Sequence, residues 1–148
     1  MKIELTNLTN EKCDEKRLLS VADFALSQLE IHPDCELSIS LVDETEMGSL
    51  HMQWMDEPGA TDVLSFPMDE IRPHSRAQGP GMLGDVILCP SFAEKQAIDA
   101  GHSLQEEMEL LTVHGVLHLL GFDHREPEEK KVMFGMQEEY LAQWRRNA

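Results

Sequence analysis

The run His114-Gly115-Val116-Leu117-His118-Leu119-Leu120-Gly121-Phe122-Asp123-His124 holds three of the seven histidines of the chain. His114 and His118 are four residues apart. On an α-helix that spacing puts both on one face, one turn and roughly 6 Å apart along the axis. Two imidazoles so placed can reach one ion through bonds of about 2.0–2.1 Å. Gly121 lets the chain reverse, so that His124 can return as a third ligand. Three protein ligands leave one tetrahedral position open, which marks a catalytic zinc rather than a structural one. The segment between the histidines is too apolar to hold unpaired imidazoles cheaply. The expected ion is zinc, one per chain, although imidazole also suits iron and nickel.

The spacing H-x-x-x-H-x-x-G-x-x-H is that of the metzincin peptidases. Those enzymes carry a glutamate as general base directly after the first histidine. Here that position is Gly115, which has no side chain. A metal can still supply a nucleophile by acidifying its bound water to a pKa of about 7.

Other polar residues carry weaker signals. Asp123 adjoins a ligand and either orients an imidazole or is a solvated carboxylate. Ser65 has no base positioned beside it and reads as packing or backbone pairing. Asp62 and Asp85 read as turn caps at strand starts. His51, His74 and His102 lack ligand spacing and read as ordinary polar positions. Arg145 and Arg146 close the last helix, where cations complement the dipole; contact with an anionic partner is the alternative.

These residues need elements to hold them. Alternation from Ile3 to Leu8 and from Leu37 to Val42 predicts two strands. Between them, Leu18, Val21, Ala22, Ala25 and Leu29 recur at helical spacing from about Asp14 to Glu30, with Pro33 as the latest end. Asp43 with Glu46 caps a second helix whose inner face is Met47, Leu50 and Trp54. Val63 to Phe66 is a third strand and Asp85 to Cys89 a fourth, separated by a long loop from Met68 to Leu83. Ser91 with Glu94 starts a short helix that Gly101 stops. Ser103 with Glu106 is a capping box opening a helix to about Leu120, with Glu106, Glu107 and Glu109 placed to complement its dipole. That helix is apolar nearly all round from Leu110 onward, which predicts a central, buried position. Pro127 begins a last helix, its inner face Met133, Met136, Tyr140 and Trp144. Strands early and helices late predict an α+β fold, a mixed four-stranded sheet flanked by about five helices, in one metal-dependent hydrolase domain over residues 1–148.

The 148 residues suffice for a core without disulfide staples. Cys13, Cys35 and Cys89 show no paired spacing and are expected to be free thiols. No apolar run approaches the roughly 20 residues of a membrane span, and the first residues do not read as a signal peptide, so a cytoplasmic location is expected. The net charge of −16 weighs against a nucleic-acid partner, since phosphate binders present a basic face. It does not exclude a local groove of opposite sign.

Two further segments precede the histidine run: Thr61-Asp62-Val63-Leu64-Ser65-Phe66-Pro67 and Gly84-Asp85-Val86. From about Leu37 to His124 the chain resembles the YbeY family of rRNA-maturation endoribonucleases. The resemblance implies a sheet flanked by helices, with a zinc ion on His114, His118 and His124. It implies a single-strand-specific endoribonuclease acting in 3′-end maturation of small-subunit (16S) rRNA and in ribosome quality control. The partners implied are single-stranded rRNA and the small ribosomal subunit with its proteins. The family places an arginine six residues before the threonine of the T-D-V-L-S-F-P segment, where this chain has Met55. We expect Arg125 or Arg72 to supply that charge instead. A zinc peptidase and a non-catalytic, zinc-stabilised ribosome assembly factor are the alternative readings. Whether the attacking oxygen is water or the ribose 2′-hydroxyl stays open at this point.

Overall fold

In the computed structural model, which describes residues 1–147, the elements are β1 (Lys2–Asn7), α1 (Glu15–Gln28), β2 (Glu36–Leu41), α2 (Glu44–Met55), β3 (Val63–Pro67), β4 (Met82–Leu88), α3 (Pro90–Ala100), α4 (Leu104–Leu119) and α5 (Pro127–Asn147). This is the expected α+β order of four strands and five helices. Three helix starts follow from their caps. Asp14 Oδ1 accepts from the Arg17 N–H, Asp43 Oδ1 from the Glu46 N–H, and Ser103 and Glu106 close a reciprocal capping box.

The sheet order is β1-β2-β4-β3. β1, β2 and β4 are parallel, and β3 runs antiparallel to β4 at one edge. Gly84 permits that last pairing. It has φ +135°, and a Cβ there would lie 2.1 Å from the Phe66 carbonyl oxygen. No side chain fits, which explains the glycine of the Gly84-Asp85-Val86 segment.

Alternation along paired strands decides what each face of the sheet carries. Ser65 and Val86 are cross-strand partners, and both meet Gly115 of α4. Their neighbours Leu64 and Ile87 point the other way, into a cluster with Val42, Cys89 and Met47 of α2. So α4 lies on one face and α2 on the other. Helices α1, α3 and α5 pack around α4, whose Met108, Val113, Val116 and Leu117 are almost wholly buried. This is the central helix that its all-round apolarity predicts.

Several local expectations need correction. α3 starts at Pro90, with Cys89 at the cap and no side-chain cap bond, so Ser91 lies inside the helix and does not cap it. Proline suits a first helical position because its missing N–H has no partner to lose. Trp54 is 62% exposed and meets the Phe66 ring edge-on, because β3, which bears Phe66, is the edge strand of the sheet. The buried line of α5 is Met133, Gln137, Leu141 and Trp144; Met136 and Tyr140 are half-buried one position away. Asp85 is not at a strand start, since β4 begins at Met82 and shortens the loop before it. α1 ends before Pro33, with Glu30 in the left-handed region at φ 53°. All three cysteines are free, and among the described residues no helix is long and apolar enough to cross a membrane.

Candidate metal centre

α4 delivers His114 and His118 from successive turns. The helix ends at Leu119, and Gly121 takes φ +96°, which turns the chain back on itself. Asp123 then holds the returning segment, its Oδ1 accepting from the His124 N–H at 2.7 Å. That bond, with Arg125 nearby, keeps the Asp123 carboxyl below the usual carboxylate range. The three rings form a near-equilateral set, with centroids 4.9, 5.4 and 5.2 Å apart. One ring nitrogen from each histidine lies within 4.8 Å of the others. Tetrahedral bonds of about 2.0–2.1 Å would place such nitrogens roughly 3.4 Å apart, so small ring adjustments complete the set.

The donor chemistry also fits a metal ion. A ligating imidazole must be neutral. Burial lowers the pKa of His114, and burial together with the His114 and His124 rings brings His118 down to about 4. His114 Nδ1 lies 3.0 Å from Gln137 Oε1, while His118 and His124 have no ring-nitrogen partner among the described residues. Phe134 stands 5.9 Å from both the His114 and His124 rings and forms an apolar wall.

The histidines open into a cleft of about 650 Å³, also lined by Met55, Thr61 to Ser65, Glu107, Phe134 and Gln137. The edge strand β3 forms one wall. Cys89 N–H donates to Asp62 O, and Met68 N–H to Leu83 O. Even-numbered residues of β3 therefore make the hydrogen-bonded pairs with β4, and the backbone groups of Val63 and Ser65 point away from the sheet. The Val63 N–H is taken by Asp62 Oδ1 at 2.7 Å. The Ser65 N–H and both outward carbonyls remain as an open edge.

Other residues singled out from the sequence lie as follows. The Ser65 hydroxyl donates to the Gly115 carbonyl at 3.0 Å, tying β3 to the helix that bears His114 and His118. A Cβ on Gly115 would sit 2.7 Å from Val86 Cγ1 and 3.3 Å from Ser65 Oγ. The position that bears the base of a metallopeptidase therefore faces the sheet, with no room for a carboxylate. Arg125 is turned outward, 86% exposed and paired with Asp123 at 3.0 Å. Arg72 lines a second groove of about 270 Å³ that shares His118 with the first, and it lies against Gly121. It pairs with Glu70 at 2.7 Å. His51 binds the Gly59 carbonyl and Glu57, His74 binds Glu30, and His102 binds Glu107. Arg145 does not simply close a helix: its guanidinium bonds Glu109, which also binds Arg17 and Gln105. Glu106 and Glu107 stand in the first turn of α4, as the dipole reading expects, and Glu107 and Glu109 are in addition buried and paired.

Gln137 was not legible as part of the site. Its only trace in the sequence is a polar residue at helical spacing between Met133 and Leu141, on the face that packs inward. Lys130, one turn before Phe134, likewise places its ammonium 5.4 Å from that ring.

Residues 3–145 match the family model described as Endoribonuclease YbeY. The chain is 56% identical over 148 residues to the endoribonuclease YbeY of Rhodococcus jostii, covering 97% of this chain and 82% of the relative. It is 54% identical to that of Thermobifida fusca, covering 99% and 96%. Among solved structures, the solution structure of a Thermotoga maritima protein superposes with a TM-score of 0.64 at 28% identity, over 98% of this chain and 93% of that one.

Proposed function

This chain belongs to the endoribonuclease YbeY family, and we propose that it is a zinc-dependent, single-strand-specific endoribonuclease that matures the 3′ end of small-subunit (16S) rRNA and serves ribosome quality control. The observation that carries the reading is the convergence of three ring nitrogens within 4.8 Å at the floor of an open cleft. His114, His118 and His124 would hold the zinc. Zinc held by them would supply Lewis-acid polarisation of a phosphodiester and would acidify a coordinated water.

The residues of the chain do the rest. The α4–Gly121–His124 turn fixes the ligand triangle, and Asp123 pins it through the His124 backbone. Phe134 keeps one side dry. The open edge of β3 runs beside the histidines and offers the Ser65 N–H and two carbonyls to an extended strand. The cleft lining holds Asp62 and Glu107 but neither lysine nor arginine, so backbone charge is met at its margins. Arg72 suits that role better than Arg125, because it shares a groove with His118 whereas Arg125 projects into solvent. With a net charge of −16, approach to rRNA is helped by basic proteins of the small subunit. The domain as a whole is read as one metal-dependent hydrolase acting in the cytoplasm. The peptidase alternative lacks both a base at Gly115 and the space for one.

The test is cleavage of unstructured and duplex rRNA fragments by the wild type and His114→Ala, with the product ends identified. Cutting confined to the unpaired fragment and lost in a folded His114→Ala supports the reading. Undiminished cutting by that variant removes it. A cyclic phosphate end would assign the attack to the 2′-hydroxyl, whereas a 5′-phosphate beside a 3′-hydroxyl would assign it to water.

A further inference from the structure

His114 differs from the other two histidines in having one ring nitrogen already engaged. Its Nδ1 lies 3.0 Å from Oε1 of Gln137, which reaches it from α5. An amide oxygen only accepts, so this contact requires the proton on Nδ1. A neutral imidazole carries one N–H, and Nε2 is then left with its lone pair. Nε2 is the atom free to join the nitrogens of His118 and His124. The opposite tautomer would set two lone pairs against each other at Gln137 and point an N–H where an ion would sit.

Gln137 is well held for such a task. It is only 7% exposed, in line with the buried Met133, Leu141 and Trp144 of α5. Its Nε2 has no partner among the described residues, yet no buried polar side-chain atom there is left unpaired, so the amide nitrogen is open to the cleft that Gln137 lines. The amide is also neutral. A carboxylate in its place would add a third negative group to a lining that already holds Asp62 and Glu107 and must receive a polyanion.

We propose that Gln137 is a positioning residue for the metal centre: its Oε1 selects the Nδ1–H tautomer of His114 and fixes the angle at which Nε2 faces the ion. The inference rests on His114 being a metal ligand. Groups of this kind are worth about 10- to 100-fold in metal affinity.

The experiment pairs two measurements. In the metal-free wild type, long-range nitrogen–proton correlation spectra read the His114 tautomer directly, with no substitution needed. The expected result is a protonated Nδ1; a dominant Nε2–H form overturns the proposal. Zinc affinity is then measured by chelator competition for the wild type, Gln137→Leu and Gln137→Glu. Gln137→Leu removes the acceptor and should bind zinc about 10- to 100-fold more weakly. Gln137→Glu keeps an acceptor and should recover wild-type affinity, while its lost amide donor and added charge raise KM for RNA. Equal zinc affinity in the wild type and Gln137→Leu overturns the proposal and leaves the metal centre standing. A wild type that fails to bind one zinc per chain overturns the metal reading, and this inference with it.

Discussion

The two ends of α4 solve the same problem in opposite ways. Both place polar side chains in a helix that is otherwise buried. At the N-terminal end every such group finds a partner within the chain. Glu109, 1% exposed, accepts from Arg17 at 2.8 Å, Arg145 at 3.2 Å and Gln105 at 3.1 Å, and Glu107 meets His102. Arg17 in turn stacks on Trp144, with 4.5 Å to the ring centroid. This cluster ties α1, α4 and α5 together. At the C-terminal end the histidines converge on one point and leave ring nitrogens without protein partners. A polar cluster that satisfies itself is scaffold; one whose lone pairs converge on a point open to a cleft can hold an ion.

The comparison breaks most sharply at the histidines. His118→Ala should abolish stoichiometric zinc binding and lower RNA cleavage by at least about a thousandfold, the loss expected when several kcal/mol of metal assistance go. The metal-free variant should melt within a few degrees of the metal-free wild type. A collapse of the fold would place the histidines with the scaffold. At the other end, Glu109→Leu should give the reverse pattern. The arginines it abandons are 38% and 37% exposed and can turn to water, so we expect a loss of about 1–3 kcal/mol in urea unfolding, with zinc stoichiometry and cleavage per folded molecule intact. Loss of zinc binding in that variant would show the two ends to be one unit.

The smallest effect is with pH in the metal-free protein. Folding brings the pKa of His118 from 6.5 to about 4. Between those values the unfolded chain takes up a proton that the folded chain refuses. The contribution is therefore fully present above pH 6.5 and is lost as pH falls toward 4. Urea midpoints at pH 7 and pH 5 should show the fall, and it should be shallower in His118→Ala.

Much of this was legible along the chain. The capping residues Asp43 and Ser103 announced two helices, because a cap is a contact between residues three apart, and the spacing of Leu18, Val21, Ala22 and Ala25 announced α1. The ligand triad was legible for a similar reason: one helical turn and one glycine reversal suffice to bring it together. Trp54 misled, because helical spacing shows which residues share a face but not where the sheet beneath that face ends. On α5, Met133 and Trp144 were read correctly but Met136 and Tyr140 stood one position off Gln137 and Leu141, since the contact that orients this face, Gln137 with His114, is 23 residues away in sequence. The partners of Glu109 were not legible, because Arg17 and Arg145 reach it from other helices.

The amino-acid order by itself determined the α+β order of elements, the buried central helix and the convergence of three imidazoles, all of which arise from periodicity and short-range geometry. Only the tertiary structure decided that β3 is an open edge beside those imidazoles, that Gly115 is pressed against Val86, and that Gln137 sits behind His114. These depend on which faces of distant segments meet, and that is settled by packing the whole core at once, not by any one stretch of chain.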